Sequence, residues 1–141
     1  MEILKKYILL LLLALALPTV AVYAWFTLTS GHHDYTPDDT FSFRLYTPAT
    51  LKKLPFISNH SVYNYDYNPD NQQTRVIIIW ADIENISAKK KELDTFLKML
   101  NGFNKYDCSW IYNDKNSSAE NYQRYCIFQK GKMLELEYVE T

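Results

Sequence analysis

The first 31 residues constrain this chain more than any later feature. Lys5 and Lys6 precede a run without charge across residues 7–31. Its core, ILLLLLALAL at residues 8–17, has the length and basic start of a secretory signal. Pro18 then interrupts the run, and AVYA at residues 21–24 offers Val22 and Ala24 at the −3 and −1 positions of a cut after Ala24. Retention is the other outcome. Residues 8–28 as a helix cross about 30 Å of hydrocarbon at roughly 1.5 Å per residue. Tyr23, Trp25 and Phe26 would then form an interfacial belt, with the lysines inside and Asp34, Asp38 and Asp39 outside. The chain thus divides into residues 1–31, a signal-anchor or signal peptide with a short linker, and residues 32–141, an extracytoplasmic α+β domain. The expected location is the inner membrane, single-pass, with the C-terminal domain in the periplasm. Cleavage after Ala24 would leave it periplasmic or secreted. No Cys lies near the end of the apolar block, which excludes a lipoprotein.

An oxidising compartment gives the two cysteines meaning. KYDCSWIYN (105–113) and YQRYCIFQ (122–129) both read as strands, and DKNSSAEN (114–121) between them is polar. Folded as a hairpin about residue 117, they place Cys108 opposite Cys126, where a disulfide fits. Their spacing matches neither a CxxC redox pair nor a zinc ligand set.

TFSFRLYT (40–47) alternates, with Phe41, Phe43 and Leu45 inward, as a first strand. TPATLKKLP (47–55) is a short helix with Thr47 as N-cap and Pro48 at the first helical position. Residues 60–83 form a hairpin turning at NPDNQQ (68–73). Its second arm, RVIIIWADI, is apolar on both faces and belongs inside the sheet with both faces covered. NISAKKKELDTFLKMLNGF (85–103) is the main helix. Ser87 caps it, Leu93, Phe96, Leu97 and Leu100 form its stripe, and Gly102 takes the left-handed C′ position. MLELEYVE (133–140) is a last strand. The fold class is α+β: after the N-terminal helix, an antiparallel sheet of about six strands packs with one main and one short helix. The arrangement is a ferredoxin-like βαββαβ plan with an added hairpin, or a plain helix-over-sheet layer.

Chemistry-bearing patterns are sparse. His32 and His33 are adjacent and point to opposite sides of an extended chain, so they read as a polar juxtamembrane linker. DYTPDD (34–39) lacks the spaced ligands and glycine of a calcium loop. No GxSxG elbow, P-loop or GxGxxG occurs. The chain carries 15 basic and 16 acidic residues, and without Glu2, Lys5 and Lys6 these become 13 and 15. That balance disfavours nucleic acid as a partner. No cofactor and no metal site are expected. NHS, NIS and NSS (59, 85, 116) match the N-glycosylation pattern, which acts only in a eukaryotic secretory pathway.

Twelve tyrosines stand out. Tyr63, Tyr65 and Tyr67 share one face of a strand and form a candidate partner-binding stripe, which Tyr106, Trp110 and Tyr112 would extend. The alternative is that these rings pack beneath a helix. The function read from this is a small exported envelope protein, not an enzyme, whose domain binds another protein in the cell envelope. An immunity or inhibitor protein is one concrete version. A single-span subunit of a membrane assembly is the second reading, and a small hydrolase using His60 or Asp82 is the third.

Overall fold

The structure is a computed structural model that describes residues 1–112 and 122–141. The chain forms two units, Met1–Ser30 and Gly31–Thr141. The first is one helix, α1 (Glu2–Thr29), continuous through Pro18. Its stretch Ile3–Thr29 has a mean hydropathy of 2.3 and none of it is buried, so it is long and apolar enough to be a membrane span or a signal sequence. The hydroxyls of Thr19, Thr27 and Thr29 each donate to a carbonyl one turn back, which satisfies them without water.

The second unit is α+β. Its strands are β1 (Gly31–Tyr35), β2 (Ser61–Asn68), β3 (Gln73–Trp80), β4 (Phe103–Lys105), β5 (Cys108–Tyr112), β6 (Tyr122–Lys130) and β7 (Met133–Glu140). They form one seven-stranded sheet in the order β1-β2-β3-β7-β6-β5-β4, and every pairing is antiparallel. Two meanders, β1–β3 and β4–β7, are therefore zipped together by β3 and β7. A ferredoxin-like plan is antiparallel too, but it places another strand between the two that each helix connection joins. Here β1 and β2, joined across residues 36–60, are direct neighbours at one edge of the sheet, so the layout is the helix-over-sheet one.

All helical segments of this unit serve one face of the sheet. Residues 40–47 are not a strand: Thr40–Tyr46 is a helix, α2, capped by Asp39, whose carboxylate accepts from the Ser42 N–H (3.2 Å) and hydroxyl (2.7 Å). Those two bonds hold the Asp39 carboxyl below its ordinary pKa. The alternation of Phe41, Phe43 and Leu45 was misleading, because the cap and the i, i+3 pair Phe43/Tyr46 decide for helix. Phe41 ends up exposed, whereas Tyr46 is buried. The short helix expected next shrinks to a 3-10 turn, Leu51–Lys53. Thr47 caps the C-terminal end of α2 rather than starting a helix, and its hydroxyl bonds that of Tyr35 at 2.9 Å.

The main helix, α3 (Ile86–Met99), packs over β6 and β7 with Leu93 and Leu97 fully inside. Asn85, not Ser87, caps it, accepting from the Ala88 N–H at 3.2 Å. Asn101, not Gly102, takes the left-handed position after it, with φ 55°. Gly102 is needed for a different reason. A Cβ there would lie 2.6 Å from Ser109 Oγ and 2.7 Å from the Trp110 carbonyl oxygen. Lys89 and Lys90 of the lysine run pair with Glu92 and Asp107. Under this layer lie Tyr35, Tyr63, Val76, Ile78, Trp80, Tyr125, Ile127, Leu134, Leu136 and Tyr138, which form the core.

Residues 31–35 are likewise not a linker but the edge strand β1, in register with β2 from Gly31↔Tyr67 to Tyr35↔Tyr63. The two histidines do diverge. His32 Nε2 meets Asp34 at 3.0 Å on one side, and the His33 ring stacks on Tyr46 at 4.2 Å on the other.

Candidate interaction face

Strand parity divides the sheet into a covered face and an open one. On β3, Val76, Ile78 and Trp80 are buried under the helices, while Arg75, Ile77 and Ile79 point the other way. The register carries this division across the sheet. One open row runs Val62, Ile79, Glu135, Phe128 over β2, β3, β7 and β6. Val62 is 44% exposed, Phe128 48% and the adjoining Met133 41%, so this apolar row meets solvent. Ile79, Phe128 and Met133 line a shallow depression of about 470 Å³, bordered by Glu135 and Glu137.

The next rows are held more tightly. Ile77, Glu137, Cys126 and Cys108 lie side by side. Cys108 and Cys126 are bonded to each other at directly opposed positions, as the two alternating arms require. The polar loop expected at residues 114–121 lies outside the described residues. Beyond the disulfide, Glu137 sits between two guanidinium groups. Its Oε2 accepts from Arg75 Nη2 (2.6 Å) and Nε (3.1 Å), and its Oε1 accepts from Arg124 Nη2. The glutamate side chain is only 12% exposed, so these charge-assisted bonds hold both arginines rigidly. Arg124 also lies over the Trp110 ring, 5.4 Å from its centroid, and Trp110 packs against Tyr122 at 5.2 Å. Tryptophan, tyrosine and arginine on a preordered backbone are the residue types that dominate protein interfaces.

The tyrosine stripe has a different fate. Tyr63 is buried, against Tyr35 at 5.4 Å and edge-on to Phe43 at 5.6 Å. Tyr65 is half-buried against Tyr46 at 5.1 Å, and Tyr67 is half-buried at the far end of β2. Burial raises the pKa of Tyr63 and Tyr65, and pushes Tyr35 up to about 12. Tyr63 and Tyr65 therefore pack beneath α2, with Tyr67 half-buried beyond them. Trp110 does not extend it, because register places Trp110 on the opposite face of the sheet.

Comparison with known proteins finds no match: no family model, no curated protein and no solved structure is similar to this chain. The geometry alone therefore carries the functional reading. For the hydrolase reading, the structure brings His60 and Asp82 together, Nδ1 to Oδ2 at 3.3 Å, but both side chains are over two-thirds exposed. The neighbouring Ser58 hydroxyl is engaged elsewhere, donating to the Ala81 carbonyl and accepting the His60 backbone N–H. That pair has neither the burial nor the aligned nucleophile of an acid–base centre. Glu135 and Glu137 are no better as an acid–base pair, since Glu137 is committed to two arginines. Among the described residues no three His, Cys, Asp or Glu side chains converge as a metal site would require.

Proposed function

We propose that this is a small exported envelope protein that works without catalysis, by docking the open face of its sheet on another protein. The carrying observation is the face itself. Val62, Phe128 and Met133 stand in solvent beside a Trp110–Arg124–Glu137–Arg75 hub that is already ordered. Apolar side chains on the outward side of a sheet cost solubility unless a partner covers them, and a rigid hub lowers the entropy lost on docking. The fitting partner presents an apolar patch rimmed by charge, in keeping with Glu135 and the arginines. An immunity or inhibitor role is one form of this reading.

Recovery of a partner from native envelope extracts with the full chain as bait tests it. Val62→Asp/Phe128→Asp should lose the partner, whereas Tyr67→Phe should keep it. Retention by the first variant, with its circular dichroism unchanged, would reject this face.

The alternative, a single-span subunit of a membrane assembly, draws on one observation: α1 stays helical through Ala24 to Thr29. The mass of the mature N-terminus separates the two. A chain beginning at Trp25 supports a soluble binder, and one beginning at Met1 or Glu2 supports the anchored subunit.

A further inference from the structure

The covered side of the sheet holds a second feature that the open face does not use. Where the end of α2 and residues 47–50 meet the ends of β3, β6 and β7, an open surface hollow of about 360 Å³ lies. Tyr46, Tyr65 and Tyr138 contribute its rings, and Thr74, Gln123 and Glu140 its polar groups. Glu140 is the only charged residue among those that line it. Its Oε2 accepts from the Tyr138 hydroxyl at 2.7 Å and its Oε1 from Gln123 Nε2 at 3.0 Å. Both donors are neutral. Among the described residues no lysine, arginine or histidine pairs with this carboxylate.

That combination is unusual for a purely structural cluster. A partly buried charge is ordinarily paired with its opposite. Here the carboxylate is oriented by two neutral donors, and among the described residues no other side chain bonds it. Three phenol rings line the hollow beside it, and aromatic rings attract cations, although one face of Tyr46 is taken by the His33 ring. An anion would be repelled, and a neutral apolar group would leave the carboxylate desolvated and unpaired.

From these groups we infer that the hollow between α2 and the ends of β3, β6 and β7 binds an ammonium group, which Glu140 neutralises and Tyr46, Tyr65 and Tyr138 flank. The inference is independent of the open-face reading, because it uses the other side of the sheet. The ammonium group could come from a free amine or from a lysine side chain, and two probes distinguish these sources. Choline and Nα-acetyl-lysine amide are titrated against the full chain in non-ionic micelles, with saturation-transfer NMR on the probe protons. The neutral choline isostere 3,3-dimethylbutan-1-ol is run in parallel and needs no variant.

Saturable binding of choline supports a free amine as ligand, and binding of the lysine probe alone supports a side chain. In either case Glu140→Gln should weaken binding about tenfold or more, the loss expected for a hydrogen-bonded charge. Tyr65→Leu should weaken it several-fold through the lost ring face. Binding of neither probe would overturn the inference. So would equal binding of the neutral isostere, or undiminished binding by a Glu140→Gln protein with native near-UV circular dichroism.

Discussion

Reduction of the Cys108–Cys126 bond should destabilise the folded unit by an amount set by the loop it closes. The two residues are 18 apart in sequence, and a loop of that size contributes about 3 kcal/mol by restricting the unfolded chain. For a unit of about 110 residues, the entropy of unfolding near the midpoint is roughly 0.23 kcal/mol/K, so the expected fall in Tm is about 13 °C. Reduction is preferable to substitution, because Cys126 is buried and an alanine there would add a cavity to the loss. The melt is followed in micelles by tryptophan fluorescence of a Trp25→Phe chain, in which Trp80 and Trp110 both report this unit rather than α1. Oxidised and reduced chains are compared at pH 7 with alkylation confirming the thiol state. A Tm difference under about 3 °C would refute the reasoning. It would mean that the unfolded chain is already restricted by residual structure across that hairpin.

Other expectations follow from single contacts. The pKa of Tyr35 is raised to about 12, and burial also raises Tyr63, Tyr65, Tyr125 and Tyr138 above their ordinary value. Above pH 10 the unfolded chain loses these protons while the folded one keeps them, so stability is full below pH 10 and falls as pH rises towards 12. Each tyrosine adds at most about 1.4 kcal/mol per pH unit to that fall, and denaturant midpoints measured from pH 9 to 12 should show it. A flat profile would contradict the burial of these phenols. Gly102→Ala forces a Cβ against the Trp110 carbonyl oxygen, 2.7 Å away, and should cost about 1–3 kcal/mol in urea unfolding. Asn85→Ala should cost about 1 kcal/mol through loss of the α3 cap, whereas Ser87→Ala should change little, and thermal melts of the two variants decide between those caps.

Much of the fold was legible because it rests on local patterns. The α3 stripe at Leu93, Phe96, Leu97 and Leu100 is a period of 3.6, and the two cysteine arms alternate so regularly that register follows from the hairpin centre. The errors fell where segments are short. Residues 40–46 carry both a period of two and a period of 3.6, and the Asp39 cap on Ser42 with the Phe43/Tyr46 pair decides between them. GHHDY is too polar to announce a strand, yet β1 pairs through its backbone and buries only Tyr35. The candidate face was hidden for a different reason. The apolar character of both sides of β3 suggested that both were covered, but the helical segments all lie on one side, which leaves Ile77 and Ile79 facing outwards. That mismatch, a doubly apolar strand with one helical layer available, was the signal in the sequence. The Arg75–Glu137 pair joins residues 62 apart and exists only because β3 and β7 pair, which no local pattern announces.

Site-specific photocrosslinking in the native host tests the docking face most directly. A benzophenone amino acid is placed at Phe128 on the open face, and in a separate chain at Phe41, which is 67% exposed on α2 across the sheet. The account predicts one defined protein adduct from position 128, abolished by Val62→Asp, and none from position 41. An adduct from position 41 with none from position 128 would contradict it.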